Sequence, residues 1–441
     1  MKSSVLQKLT TAGTALIGAL LALAPFHAFL TVWLASGVGH YTALRLWPEV
    51  LLAGLGVVAL AIWARDAALR TALGKTWLTR CIAAYCALLL VLGAVALARH
   101  AVTGAALGDG LVLDMRLPLF LLAAQVIFAH NEWLRIHWRK LVLIPAAIAL
   151  VFGLLEIFVL PVGFLQHFGY GPHTIAPFET VDQKLAYVRA QATLRGANPL
   201  GAYLVIVLAS LAGAGFKHRA LWAKILMVGS FGAALVVLMY TYSRSAYIGA
   251  VVALAALVWW TITSKRLKGV AMVGAAAVLL VGAGAFMLLR HNSQFENTFF
   301  HTDTTSQSAE SSNAARGSAL RQGVREVARE PLGRGPGTAG PASAHNNHPA
   351  RIAENYFLQI GQEAGWLGLG LFTAICVLAG YGLWQRRAEP LARVLLASLL
   401  GLTLINMLSH AWTDDTLAII WWTLAGAALA PRLKQSKKVR A

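Results

Sequence analysis

The chain has 441 residues, of which 58% are apolar and only 12% charged, and a mean hydropathy of +0.64; this excludes a soluble globular domain of such size and makes a lipid bilayer the solvent. The formal net charge of +19 does not point to nucleic acid, because basic residues accumulate in the cytoplasmic loops of membrane proteins. Cys81, Cys86 and Cys376 all lie inside apolar stretches, which leaves neither an external disulfide nor zinc-type spacing.

In chain order, Lys2 and Lys8 precede an apolar run over 13–35, too long for the core of a cleaved signal peptide, so it is expected to be an uncleaved first span. Further runs near spanning length lie at 47–64, 80–98, 113–130, 141–162, 199–216, 222–241, 245–263, 269–289, 361–384, 391–409 and 415–431. They predict an all-α polytopic membrane protein of about twelve transmembrane helices, a single integral membrane domain over 1–441. An even number puts both termini on one side. Arg65, Arg70, Lys75, Arg135, Arg139, Lys140, Lys217, Arg219, Lys265, Arg266, Lys268, Arg386, Arg387 and the basic tail from Arg432 to Arg440 fall in connections on that side, so the positive-inside rule makes both ends cytoplasmic.

The two longest connections, 163–198 and 290–360, then face outward together, and loops of such length in a compact membrane protein are expected to form a site. The first is aromatic in part (Phe164, Phe168, Tyr170, Phe178), as suits an interfacial segment. The second, between spans nine and ten, holds a polar stretch at 302–313 and then an amphipathic helix over 314–330, with Leu320, Val324 and Val327 as its apolar stripe and Pro331 as its stop. On this topology the outward basic residues are nearly all arginine, including Arg45, Arg116, Arg189, Arg195, Arg244, Arg316, Arg321 and Arg325, with Lys184 the single outward lysine. The planar guanidinium binds phosphate oxygens in pairs and is weakly hydrated, so it suits a diphosphate held at a membrane interface; contact with lipid phosphates is the plainer account.

Three segments carry the chemistry. In the first, Tyr187 to Gly201, Asn198 is expected as an N-cap with Pro199 as the first helical residue, so that free N–H groups meet an anion beside Arg189 and Arg195. The second, Thr241 to Tyr247, places Arg244 in a hydroxyl-rich outer turn, where a charge at the hydrocarbon edge is costly unless paired or used. The third opens with Pro331 to Pro341, read as a rigid turn because it lacks a Walker lysine. It continues through His345 and His348 to Glu354, any of which is a candidate general base. Glu363 near the tenth span, and His410 with Asp414 and Asp415 at the last outer turn, are further ionisable groups at membrane depth, although capping by Thr413 and Asp414 explains part of that turn. No cluster has metal-ligand spacing, so neither a metal nor a cofactor is expected.

The order Arg189…Asn198-Pro199, Ser243-Arg244-Ser245-Ala246, Gly333-Arg334-Gly335-Pro336-Gly337-Thr338 and Glu354-Asn355-Tyr356-Phe357-Leu358-Gln359…Glu363-Ala364-Gly365-Trp366-Leu367-Gly368 resembles the O-antigen ligase and O-antigen polymerase superfamily over Arg189 to Leu424. The resemblance implies a bacterial inner-membrane glycosyltransferase with a periplasmic active site, moving glycan from undecaprenyl diphosphate to a lipid A-core sugar without metal or nucleotide. In such an O-antigen ligase Arg189 and Arg244, helped by Asn198 and Arg195, would hold the diphosphate. His345, or failing it His348 or Glu354, would take the acceptor proton, and direct displacement would invert the anomeric centre. Arg316 and Arg321 would meet glycan or core phosphates, with His410 close by. Many relatives have His-Asn where this chain has Glu354-Asn355, which leaves the base open. Its partners would be lipid-linked O-antigen, core lipopolysaccharide and membrane lipids. An O-antigen polymerase or a protein O-oligosaccharyltransferase would use nearly the same motifs. A transporter or flippase would instead place ionisable residues near mid-membrane in inverted repeats.

Overall fold

The computed structural model of the chain describes residues 2–181, 184–213, 220–262, 264, 266, 268–269 and 312–433. Among these, nine helical segments are long and apolar enough to cross a membrane, as expected of a multi-pass membrane protein. The first, Ser4–Val38, comprises α1 (Lys2–Leu23) and α2 (His27–Val38), joined by a 3-10 turn at Pro25, which lacks the N–H that a continuous helix needs. Next come α3 (Tyr41–Leu44), α4 (Trp47–Arg65), the short α5 (Ala67–Gly74), α6 (Trp77–Ala98), α7 (Gly104–Ile127) and α8 (Trp133–Phe158). A hairpin of β1 (Glu179–Val181) and β2 (Lys184–Arg189) precedes α9 (Ala197–Gly213), α10 (Leu221–Tyr240) and α11 (Arg244–Thr261). After α12 (Ser312–Arg329), the chain ends on α13 (Tyr356–Gln385), α14 (Pro390–Leu408) and α15 (Asp415–Leu429).

The expected spans at 199–216 and 415–431 appear as the shorter apolar helices α9 and α15. Both are buried on nearly every face, which makes them core helices, and hydropathy alone does not separate core from lipid-facing helices. The expected span at 269–289 and most of the polar stretch at 302–313 lie outside the described residues, as do Lys217, Arg219 and Lys265. Small residues let the central helices close up. A Cβ added to Gly401 of α14 would stand 2.2 Å from the Gly249 carbonyl oxygen of α11, and one added to Gly201 of α9 would stand 2.7 Å from Ala246.

The all-α bundle carries one short hairpin in its outer connection, where β1 and β2 pair antiparallel with Glu179 opposite Arg189. Two sequence expectations change. Arg116, expected outward, is buried in α7 at 4% exposure, where it meets Glu49 at 3.4 Å, the Asp415 carboxylate, and the Thr413 carbonyl at 2.7 Å. Asn198 is not the helix cap, because α9 begins one residue earlier at Ala197.

The connections that carry the motifs meet at one end of the bundle. Tyr356 N–H donates to the Ser409 carbonyl at 3.1 Å, Ala190 N–H to Tyr240 at 2.8 Å, and Thr103 N–H to the Asn346 side chain at 3.0 Å. Arginines gather at the opposite end, where Arg135 donates to the Ala427 carbonyl at 2.9 Å and Arg432 meets Glu389 at 2.8 Å. The 331–341 turn is driven into the bundle rather than laid on it. Its residues 335–340 are buried, and Glu363 Oε1 accepts from Gly337 N–H at 2.8 Å and Ala339 N–H at 3.2 Å. Pro331 ends α12 as expected. That helix docks on α13 through buried Val327, with Trp366 Nε1 donating to the Val327 carbonyl at 2.8 Å, whereas Leu320 and Val324 stay exposed.

Candidate functional site

Arg189, the last residue of β2, is fixed from three sides. Its Nε donates to the Thr241 carbonyl at 2.8 Å, Nη2 donates to Asn198 Oδ1 at 2.7 Å, and Nη1 lies 3.2 Å from Glu179 Oε2. Asn198 therefore orients the guanidinium in place of capping its own helix. Burial pulls the Arg189 pKa below its usual value and nearby Arg316 adds to this, while Glu179 opposes; an arginine nevertheless remains charged. Half-buried Arg244 opens α11 directly after Tyr242 and Ser243. Tyr242 has φ +49°, a left-handed conformation costing roughly 1–3 kcal/mol in a bulky residue.

Opposite these stand Arg316 and Leu320 on α12, and Glu354 at φ +53°. Glu354 is held there by its neighbour Asn355, which caps α13 by accepting from Leu358 N–H at 3.0 Å and donates to the Met407 carbonyl at 2.8 Å. Arg189, Asn198, Arg244, Arg316 and Glu354 line one cavity of about 510 Å³. Two of the five left-handed non-glycine residues among the described ones, Tyr242 and Glu354, are on its wall. Strain of this kind persists only where the surroundings enforce it.

Asn198, Arg316 and Glu354 also face an adjoining cavity of about 250 Å³ that adds Arg195, His410 and Asp414. Arg195 Nε lies 3.3 Å from Asp414 Oδ2, and Asp414 caps α15 as expected by accepting from Leu417 N–H at 3.3 Å, whereas Thr413 does not cap it and its hydroxyl donates to the His410 carbonyl at 2.7 Å. Burial pushes the Asp414 carboxyl above its usual value, Arg195 opposing. Burial also holds the His410 imidazole below its usual value; Glu354 opposes this, and Arg195 and Arg316 add to it.

The other candidates lie apart. His345 is half exposed, pairs with Asp109 at 3.1 Å, and lines a different cavity without Arg189 or Arg244. His348 and Arg321 are exposed and line neither cavity described above. The sequence reading missed Tyr242, whose strain no local pattern announced. It also missed Glu156 on α8, which accepts from Gln191 N–H at 3.1 Å and Ala192 N–H at 2.7 Å and so sets the strand-to-helix connection after Arg189. An acidic residue inside an apolar run was the available signal. Behind Arg189 and Tyr242 a cavity of about 240 Å³ is walled by Phe152, Phe164, Phe178 and Tyr240 and also reaches Glu156 and Arg189.

Residues 229–373 match a family model described as O-antigen ligase. About a third of the chain is therefore similar to the O-antigen ligase family. This marks it as an enzyme of ligase or transferase type. The matched segment includes Arg244, Arg316, Arg321, His345, His348 and Glu354, whereas Arg189, Arg195, Asn198 and His410 reach the cavities lined by Arg244, Arg316 and Glu354 from outside it. No curated protein matches the chain.

Proposed function

We propose that this protein is an O-antigen ligase of the bacterial inner membrane that transfers glycan from undecaprenyl diphosphate to a lipid A-core sugar on the periplasmic side. The observation that carries the reading is the cavity itself: three arginines, Arg189, Arg244 and Arg316, face one carboxylate, Glu354, at one end of a bundle of apolar spans. A lipid-linked diphosphate, with a dianionic head and a tail that stays in the bilayer, suits a guanidinium-rich cavity set among such spans. The cluster of arginines at the opposite end of the bundle supports the outward orientation through the positive-inside rule.

The arginines stabilise charge as it develops on the departing diphosphate, where preorganised donors outweigh the same contacts in water. Of the three candidate bases, Glu354 alone shares a cavity with Arg189 and Arg244. Its carboxylate takes the proton as the acceptor oxygen forms a bond to the anomeric carbon. The bond from that carbon to the diphosphate oxygen breaks, and its electron pair leaves with the diphosphate. A single displacement inverts the centre. Arg195 and His410 line the passage beside Glu354 and orient the incoming sugar.

The test is transfer with purified protein, lipid-linked O-antigen and core lipopolysaccharide. Wild type forms product, and Arg189→Ala and Arg244→Ala each reduce kcat/KM by about 10²-fold or more. Equal activity in both variants would overturn the diphosphate site. Product formed only when repeat units serve as both donor and acceptor would identify a polymerase instead.

A further inference from the structure

Helix α12 turns three rows of side chains to three different surroundings. Gly323 and Val327 are buried against α13 and the segment before it: a Cβ added to Gly323 would stand 3.0 Å from Ala353, and one added to Gly361 would stand 2.9 Å from Val327. Next to that docked row, Leu320, Val324 and Ala328 form an exposed apolar row. Beyond it, at the same four-residue spacing, Arg321, Arg325 and Arg329 form an exposed basic row. The carboxylates of the helix lie on its other flank and are engaged: Glu326 accepts from Arg351 and from Gln362 at 2.6 Å, and Glu330 pairs with Arg334. Among the described residues no carboxylate pairs with Arg321, Arg325 or Arg329.

Where the helix is docked decides what the two exposed rows face. Trp366 holds its end, Nε1 donating to the Val327 carbonyl and the backbone N–H to the Pro331 carbonyl at 2.9 Å. Trp366 also heads a stripe of the α13 span that runs through Leu367 and Val377 to Tyr381, all of them 59–63% exposed. Leu332, directly after α12, is 78% exposed. A tryptophan at the head of a lipid-facing stripe belongs at the boundary between hydrocarbon and headgroups. The C-terminal half of α12 is thus fastened beside that boundary, while Arg316 near its other end lines the cavity. An apolar row flanked by arginines at that level has the form of an interfacial helix.

We infer that the outer face of α12 docks on anionic phospholipid headgroups of the leaflet at the cavity end, Arg321, Arg325 and Arg329 meeting the phosphates and Leu320, Val324 and Leu332 entering the acyl boundary. Charge complementarity selects this occupant. Successive arginines of the row are offset by about 6 Å along the helix axis, which spreads the charge over a surface of phosphodiesters. Arg189, Arg244 and Arg316 converge on one cavity instead. The docking holds α12 down and keeps Arg316 over that cavity.

A nitroxide on Ala328→Cys in the purified full-length protein reads the docking without transfer chemistry, so an inactive protein tests it equally well. In nanodiscs of equal parts phosphatidylglycerol and phosphatidylcholine, its collisions with a water-soluble nickel chelate should be fewer by about threefold or more than in phosphatidylcholine alone, and high salt should remove the difference. The variant carrying Arg321→Gln, Arg325→Gln and Arg329→Gln should show no such difference and keep a thermal midpoint near that of wild type. If that variant fails to fold, the lipid and salt dependence of wild type still decides. Equal protection in both kinds of nanodisc would overturn the docking. So would protection gained only on adding core lipopolysaccharide, which would make the acceptor's phosphates the anion, or protection abolished by inorganic diphosphate, which would make the row a site for soluble anions.

Discussion

At Glu354 the chain places a carboxylate in a left-handed backbone conformation, directly before a capped helix and facing arginines across a cavity. Glu354→Gln keeps the shape and removes the proton acceptor. We expect it to lower kcat by about 10²–10⁴-fold while leaving diphosphate binding intact, whereas His345→Ala and His348→Ala stay within a few-fold of wild type; a dominant loss at either histidine in single-turnover assays would move the base there. His410 carries a pH signature. Burial lowers its folded pKa below the ordinary value, so its contribution to stability is fully present above about pH 6.5 and is lost as pH falls from there through the lowered folded value. The thermal midpoint in detergent should therefore drop on acidification below that point, and His410→Gln should reduce the drop.

At the scale of elements, the 331–341 turn decides how α13 meets α6 and α7. Gly337 has φ +83°, and a Cβ there would stand 2.2 Å from the Ala106 carbonyl oxygen. That clash is with backbone and has no side chain to relax. Gly337→Ala is expected to destabilise the protein by about 1–3 kcal/mol or more, measured as a lowered thermal midpoint. Gly229→Ala on α10, where nothing lies within 4 Å of the added carbon, should leave it unchanged or slightly raised.

Across the whole molecule, the charge distribution supports the proposed sidedness. Arginines at the end opposite the cavities bond to carbonyl oxygens at the end of α15 and to Glu132 and Glu389. At the cavity end, Tyr242 and Glu354 hold left-handed backbone conformations on the cavity wall. A cysteine at exposed His348, on the cavity end, should react with a membrane-impermeant maleimide applied from outside the inner membrane. One at Arg70, in the connection between α4 and α6, should react only after permeabilisation. The opposite pattern would invert the topology and with it the periplasmic reading. The native Cys81, Cys86 and Cys376 are half-buried in spans and give a low background.

Membrane character, most span positions, the amphipathic 314–330 helix and the arginines at the turns were legible in the sequence, because hydropathy, charge and capping are local quantities summed over neighbouring residues. The family resemblance was legible for the same reason, as short motifs in a fixed order. Which motifs share a cavity was not. Arg189, Arg244, Arg316 and Glu354 are brought together by a hairpin, a turn and a docked helix, and nothing within any one of those segments separates Glu354 from His345. The ion network of His27, Glu49, Arg116 and Asp415 was less visible still. Its members come from α2, α4, α7 and α15, and only the packing of those helices turns four groups far apart in the chain into one network. Lipid solvation fixes what each segment must be, whereas close packing between segments fixes which side chains can act on the same molecule.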